Sequence, residues 1–130
     1  SGMGTLGSAM TESSGIFTFP STGIWYVAAR GEWYFDTYNN AGSSRYNKIK
    51  IQGTTNNSSW AEFAVSSAPI YDSDAHTYAN ATATILVDVT DTANVKVRFC
   101  IDVINVAVRT LDGAYNEAQT SMTFIRLGDT

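Results

Sequence analysis

Apolar and polar residues alternate along most of this chain, which is the period of a half-buried β-strand and not the 3.6-residue period of a helix. In residues 24–35, Trp25, Val27, Ala29 and Trp33 share one face, and Arg30, Glu32 and Tyr34 share the other. In residues 46–52, Ile49 and Ile51 point one way and Lys48, Lys50 and Gln52 the other. Residues 59–66 set Trp60, Glu62 and Ala64 against Ala61, Phe63 and Val65. Ala83, Ile85, Val87 and Val89 form the apolar phase of residues 81–89, and Val95, Val97, Phe99, Ile101 and Val103 that of the next strand. Shorter strands are predicted over 16–19 and 121–127. No long segment keeps apolar residues at i, i+3, i+4 and i+7, so no helix is expected.

Turn chemistry punctuates these runs. Pro20 stops the first strand, and Ser21-Thr22-Gly23 turns the chain into the second. Asn, Gly and Ser dominate residues 36–44, and residues 53–58 form another tight turn region. Residues 68–78 read as an irregular loop around Pro69, and 110–120 as a further loop. Asp91-Thr92-Ala93-Asn94 reads as a hairpin turn between two β-prone runs. After Val103 the apolar phase slips to Ile104, Val106 and Val108, as a β-bulge would make it. A strand apolar in both phases needs cover on both faces. One sandwich covers a single face, so a partner subunit is the expected second cover. Short strands joined by turns, with no helical interludes, predict an all-β jelly-roll sandwich of two antiparallel sheets. The 130 residues suit one domain. Residues 1–14 read as a flexible lead-in and residues 15–130 as the domain.

Composition narrows the partners. Charged residues make up 15% of the chain, against an ordinary share of about 25%, and Ser, Thr, Asn and Ala fill the difference. The net charge is −4 and the eight basic residues are scattered along the chain. A nucleic-acid binder carries a basic patch, so none is expected as partner. Apolar runs fall far short of the ~20 residues of a membrane span, so no membrane insertion is expected. Cys100 is the only cysteine, which excludes an intrachain disulfide and suits folding in a reducing cytosol. Ser1-Gly2-Met3-Gly4 lacks the charged and apolar regions of a signal peptide and reads as a cloning scar before a mid-protein start.

Catalytic chemistry is thinly supplied, and no enzyme is expected. His76 is the only histidine, and Cys100, a triad nucleophile by type, lies mid-strand in an apolar run. A solvated imidazole, or a pH-sensitive contact, is the plainer reading of His76. One Cys and one His exclude a zinc motif. Asp72 and Asp74 have the alternate spacing of calcium loops, with Asp36 as a further carboxylate, but the Gly and distal Glu of an EF-hand loop are absent. The plainer reading makes them Asx caps of turns. Glu32, Glu62 and Asp102 offer the carboxyl pair of glycoside hydrolysis only in principle, since each sits on a strand face open to solvent or a neighbouring subunit. Asn57-Ser58-Ser59 and Asn80-Ala81-Thr82 match glycosylation acceptors, as an Asn/Ser/Thr-rich chain does by chance.

Aromatic residues carry more information. Tyr34 and Tyr38 flank the loop at 36–44, Tyr71 and Tyr78 flank the next long loop, and Tyr115 lies in the last. Aromatic faces stack on sugar C–H surfaces, and Tyr joins apolar area to a polar tip. Asn39, Asn40 and Asn116 add amides suited to hydroxyl partners. With His76, these nine residues are the candidate ligand-binding set. Their competing role is core or subunit contact, the role expected of Trp25 and Phe63.

Three segments carry a family likeness. The run from Phe17 to Val27, Phe-Thr-Phe-Pro-Ser-Thr-Gly-Ile-Trp-Tyr-Val, resembles the F-T-x-P-x-x-G-x-Y-x-F core of C1q-like domains. Residues 81–99 resemble that family's pair of strands joined by a short turn, and Ser121-Met122-Thr123-Phe124-Ile125-Arg126-Leu127 resembles its final strand, S-x-F-x-G-F-x-L. The wording of these motifs, with the ending Gly128-Asp129-Thr130, is most similar to C1q-like modules in structural proteins of marine bacteriophages. The resemblance implies a C1q/tumour-necrosis-factor-like jelly roll and a homotrimer that binds through exposed loops, with three copies supplying avidity. It also implies a place on a virion, as tail fibre, tail tip or capsid decoration, after folding in the bacterial cytoplasm. Host-surface glycan or protein would be the ligand, and calcium near the axis is compatible with the family. Ile104, Val106, Val108 and Phe124 are the expected subunit contacts. Two departures stand out: the family's strands before the F-T-x-P corner are short or missing, and the last strand lacks the family's Gly and bulky aromatic. Two other readings compete, a structural knob that binds no receptor and a secreted C1q-like lectin.

Overall fold

Period-two patterning predicts strands, and strands form wherever it is sustained. The computed structural model describes residues 5–35, 44–71, 76–103, 109–114 and 117–130. Its strands are β1 (Thr11–Ser13), β2 (Ile16–Thr18), β3 (Gly23–Phe35), β4 (Ser44–Thr54), β5 (Ala61–Ile70), β6 (Thr77–Val89), β7 (Lys96–Val103), β8 (Arg109–Leu111) and β9 (Ser121–Gly128). The described residues contain no helix. One sheet runs β1-β2-β7-β4-β5, and the other runs β6-β3-β8 with β9 also on β3. All of these pairings are antiparallel. The chain changes sheet between β2 and β3, β3 and β4, β5 and β6, β6 and β7, and β7 and β8. The result is an all-β sandwich compatible with a jelly roll.

The corner between β2 and β3 depends on Gly23. Its φ is +129°, and a Cβ there would lie 2.4 Å from the Gly128 carbonyl oxygen. Only glycine lets β3 start against the end of β9 in this way. Trp25 closes the corner by donating its indole N–H to the Ser21 carbonyl at 3.1 Å, while Phe19 packs 5.3 Å from its ring.

Val27, Trp33, Ile51, Val89 and Val97 fill the space between the sheets and are all but inaccessible to solvent. Each such side chain contributes about 1.5–3 kcal/mol relative to exposure. Phe17, Phe99 and Phe124 pack with centroids 5.3–5.8 Å apart. Phe124 is therefore partly buried against the core from the inner face. Its register partner Val27 points inward, so Phe124 must follow, and Ile125 beside it takes the outer face.

Four further features depart from the sequence pattern. Residues 11–13, read as lead-in, form β1, and Met10 packs on the core. β5 continues through Pro69 to Ile70. It is an edge strand, where a missing N–H is tolerated. Its register shifts between Ile51↔Ala64 and Gln52↔Glu62, which makes Phe63 a bulge residue. Phe63 lies directly over Gly53, where a Cβ would sit 2.0 Å from the ring, and Val65 is turned outward at 49% exposure. Finally, the turn at 91–94 joins strands of different sheets, so it is a crossover and not a hairpin. Its chemistry is as read: the Asp91 carboxylate accepts from Ala93 N at 2.8 Å and Asn94 Nδ2 at 2.6 Å.

β8 and β9 lie end to end along one edge of β3. Thr120 bridges the gap between them, its hydroxyl accepting from Glu32 N at 3.2 Å and donating to the Asp112 carbonyl at 2.5 Å. Ile101 remains 48% exposed although its partner Ile49 is buried, because a lateral opening lined by Phe99, Ile101, Leu111 and Met122 is left beside this gap.

Candidate functional site

Register decides which outward residues meet. On the β6-β3-β9 sheet, Tyr34 stands directly across from Tyr78, with ring centroids 5.1 Å apart. His76, just before β6, stacks on Tyr34 at 5.2 Å and 27°, and the phenol hydroxyl and His76 Nδ1 share a 2.5 Å hydrogen bond. Tyr78 is 58% and Tyr71, just past the end of β5, 68% exposed. The sheet rim thus carries three adjoining rings with polar edges, a platform that suits the C–H face of a sugar or an apolar protein side chain. Behind it, Glu32 pairs across to Asn80 and Arg30 to Thr82. Arg30 binds Glu32 at 2.7 Å and donates to the Ala118 carbonyl at 3.0 Å, which ties the segment after β8 to the sheet.

Of the expected ligand set, the structure brings Tyr34, His76 and Tyr78 together and leaves Tyr71 exposed nearby in the chain. Tyr38, Asn39, Asn40, Tyr115 and Asn116 lie outside the described residues, as do Asp36, Asp72 and Asp74 of the calcium reading and the contact candidates Ile104, Val106 and Val108. Among the described residues, no group of three His, Cys, Asp or Glu is placed to hold a metal. Glu62 and Asp102 do approach one another, but around Lys50, whose Nζ lies 2.8 Å from Glu62 and 3.5 Å from Asp102. The Glu62 hydrogen bond raises the Lys50 pKa most; desolvation opposes it, and the charges of Glu62 and Asp102 then add to the rise.

Two outward features escaped the sequence reading. The first is an apolar row across the three-stranded face, Leu86–Tyr26–Ile125, with Leu86 61% and Ile125 49% exposed. Leu86 in the polar phase of its strand was the available signal. The second lies on the outer face of the five-stranded sheet. Lys48, Lys50, Lys96 and Arg98, half of the basic residues, gather there, so the basic residues are scattered only in sequence. Their spacing of two at 48/50 and 96/98 was the signal. Cys100 shares this face, with Sγ 3.5 Å from Gln52 Oε1, and is not a core thiol.

No protein-family model matches the chain, and no curated protein sequence matches it either.

Proposed function

We propose that this chain is a trimeric binding module of a phage virion, a receptor-binding or fibre-tip domain on the C1q-like plan. It takes host-surface glycan or protein through aromatic residues at one rim of the sandwich. The observation that carries this reading is the Tyr34–His76–Tyr78 platform, held by cross-strand register and open to solvent. Pre-ordered rings bind without the entropic cost of collecting them, which is how a rigid scaffold turns weak stacking into recognition. The apolar row Leu86–Tyr26–Ile125 supports self-association, since outward apolar rows on a sheet call for a partner. The row alone equally supports a second reading, a structural knob or capsid decoration that trimerises and binds no receptor.

Solution mass by light scattering, with and without calcium chelation, tests the assembly: three times 14.1 kDa is expected. A glycan array then separates the two readings. The receptor reading expects binding that Tyr34→Ala and Tyr78→Ala abolish at unchanged mass. Trimers blind to every glycan and to host envelope protein would leave the knob.

A further inference from the structure

The outer face of the five-stranded sheet has two unlike ends. Toward the start of β4, its cations are neutralised. Lys50 lies between Glu62 and Asp102, and Lys48 lies 3.8 Å from Asp102 and 4.3 Å over the Tyr46 ring. Toward the other end, Lys96 and Arg98 make no ion pair with a described carboxylate. Arg98 is nevertheless fixed in place. Its guanidinium lies 4.4 Å over the Trp60 ring, and its Nε donates to Gln52 Oε1 at 2.8 Å. Both constraints use the ring-facing side and the inner nitrogen of the guanidinium, and leave its terminal fork without a described acceptor. Lys96 lies two residues earlier on the same strand, on the same face, about 6.5 Å away by strand rise. Thr18 is the register partner of Lys96, and Thr11 that of Thr18, so hydroxyls extend the row outward across β2 and β1.

The geometry points to a second binding site here, for an acidic polysaccharide whose carboxylate or sulfate groups are spaced by neutral, hydroxyl-bearing sugar. A guanidinium held flat and aimed outward binds a planar oxyanion through two parallel hydrogen bonds. A flexible lysine beside it supplies a second point charge, and threonine hydroxyls suit the intervening sugar. Nucleic acid fits less well. Single-strand binders line grooves with many cations and free aromatic faces. Here two cations stand uncompensated on a chain of net charge −4, and Arg98 already occupies a face of Trp60. Arg98 and Lys96 make the contacts, while Gln52 and Trp60 are positioning residues. The site lies on the opposite sheet from the tyrosine platform, so it stands or falls apart from the proposed function.

The test measures binding of polygalacturonate, neutral dextran and a single-stranded DNA oligomer to the whole chain at low and moderate salt. The expected result is salt-sensitive binding of polygalacturonate and none of dextran. Arg98→Gln should weaken that binding about tenfold, as loss of a charge-assisted bidentate contact does, and the Arg98→Gln/Lys96→Gln pair should abolish it. Arg98→Lys should recover only part, because it keeps the charge and loses the fork. Trp60→Ala should mimic Arg98→Lys if the fold survives; Lys96→Gln, on the outer face of the sheet, decides the matter if it does not. Lys48→Gln, which removes a neutralised cation, and Tyr78→Ala, on the other sheet, should leave binding unchanged. Absence of polygalacturonate binding, binding indifferent to Arg98 and Lys96, or tighter binding of the DNA oligomer would each overturn the proposal.

Discussion

The two sheets of this sandwich obey one rule inside and different rules outside. Their inner faces are interchangeable in kind: Val27 and Ala29 on one, Ile49 and Ile51 on the other, all buried. Their outer faces share the same pleat and diverge in content. The β6-β3-β9 face carries an apolar row at one end, Leu86–Tyr26–Ile125, a band of small and hydroxyl residues in the middle, Ala28, Thr84, Thr123, Thr82 and Ser121, and the aromatic platform at the other end. The five-stranded face carries a ladder of opposed charges across β5, β4 and β7. A charge ladder is content in water, and each exposed pair contributes little to stability. An apolar row is not, and gains by being covered. On that contrast, the proposed association between copies belongs to the first face and the proposed electrostatic recognition to the second.

The sharpest way to break the comparison is to disturb what aligns the charge ladder. The bulge at Phe63 returns Glu62 to the outer face beside Lys50, and the bulge is possible because Gly53 leaves room for the ring. Gly53→Ala should cost about 2–3 kcal/mol in a urea unfolding experiment, at the upper end of overpacking in a filled core. Adding Phe63→Leu should recover much of that loss. An unchanged midpoint for Gly53→Ala would mean that the ring does not sit over this residue, and that the ladder's register has another cause.

The second test addresses the apolar row. Leu86→Lys and Ile125→Asp alter outward side chains, so the stability of one chain should move by no more than about 0.5 kcal/mol. The light-scattering mass should nevertheless fall toward 14.1 kDa. Lys48→Gln, the matching change on the charged face, should leave the mass alone. If the two faces respond alike, the contrast drawn between them fails.

Much of the fold is legible in the chain, and the failures have identifiable causes. Alternation located β3, the middle of β4 and the apolar phase of β6, because these strands keep one register over long spans. It misplaced the end of β5, because a Pro reads as a stop unless the strand is known to be an edge. It read residues 91–94 as a hairpin, because the Asp91 cap is the same whether the next strand returns to its own sheet or crosses to the other. It left the facing of Phe124 undecided, because the phase of a short strand is set by its partner, here Val27. The tyrosines of the site were legible as loop-flanking aromatics, but the Tyr34–Tyr78 pair depends on a register between residues far apart in sequence. The basic corner depends likewise on Gln52 meeting Arg98. Such meetings leave no local trace beyond a spacing of two.

The smallest expected effect separates the faces by pH. The Lys50 pKa is raised above its ordinary 10.5, first by the hydrogen bond to Glu62 and then by the charges of Glu62 and Asp102. A group whose pKa rises on folding stabilises the fold fully below the unfolded value. Its contribution is lost as pH climbs through the folded one. The Asp91 pKa is lowered from its ordinary 3.8 by hydrogen bonds from Ala93 N and then Asn94, so its contribution holds above that value and is lost as pH falls through the lowered one. Lys50 belongs to the charged face, and Asp91 to the turn that joins the two sheets. Asp91 is exposed and Lys50 keeps part of its surface in water, so both effects are modest. Denaturant midpoints should therefore drift down above pH 10.5 in the wild type and less so in Lys50→Met, while the drift below pH 3.8 should diminish only in Asp91→Ala. An alkaline drift as large in Lys50→Met as in the wild type would show that the charge ladder makes no measurable contribution, and would leave the five-stranded face distinguished only by Arg98 and Lys96, which make no ion pair among the described residues.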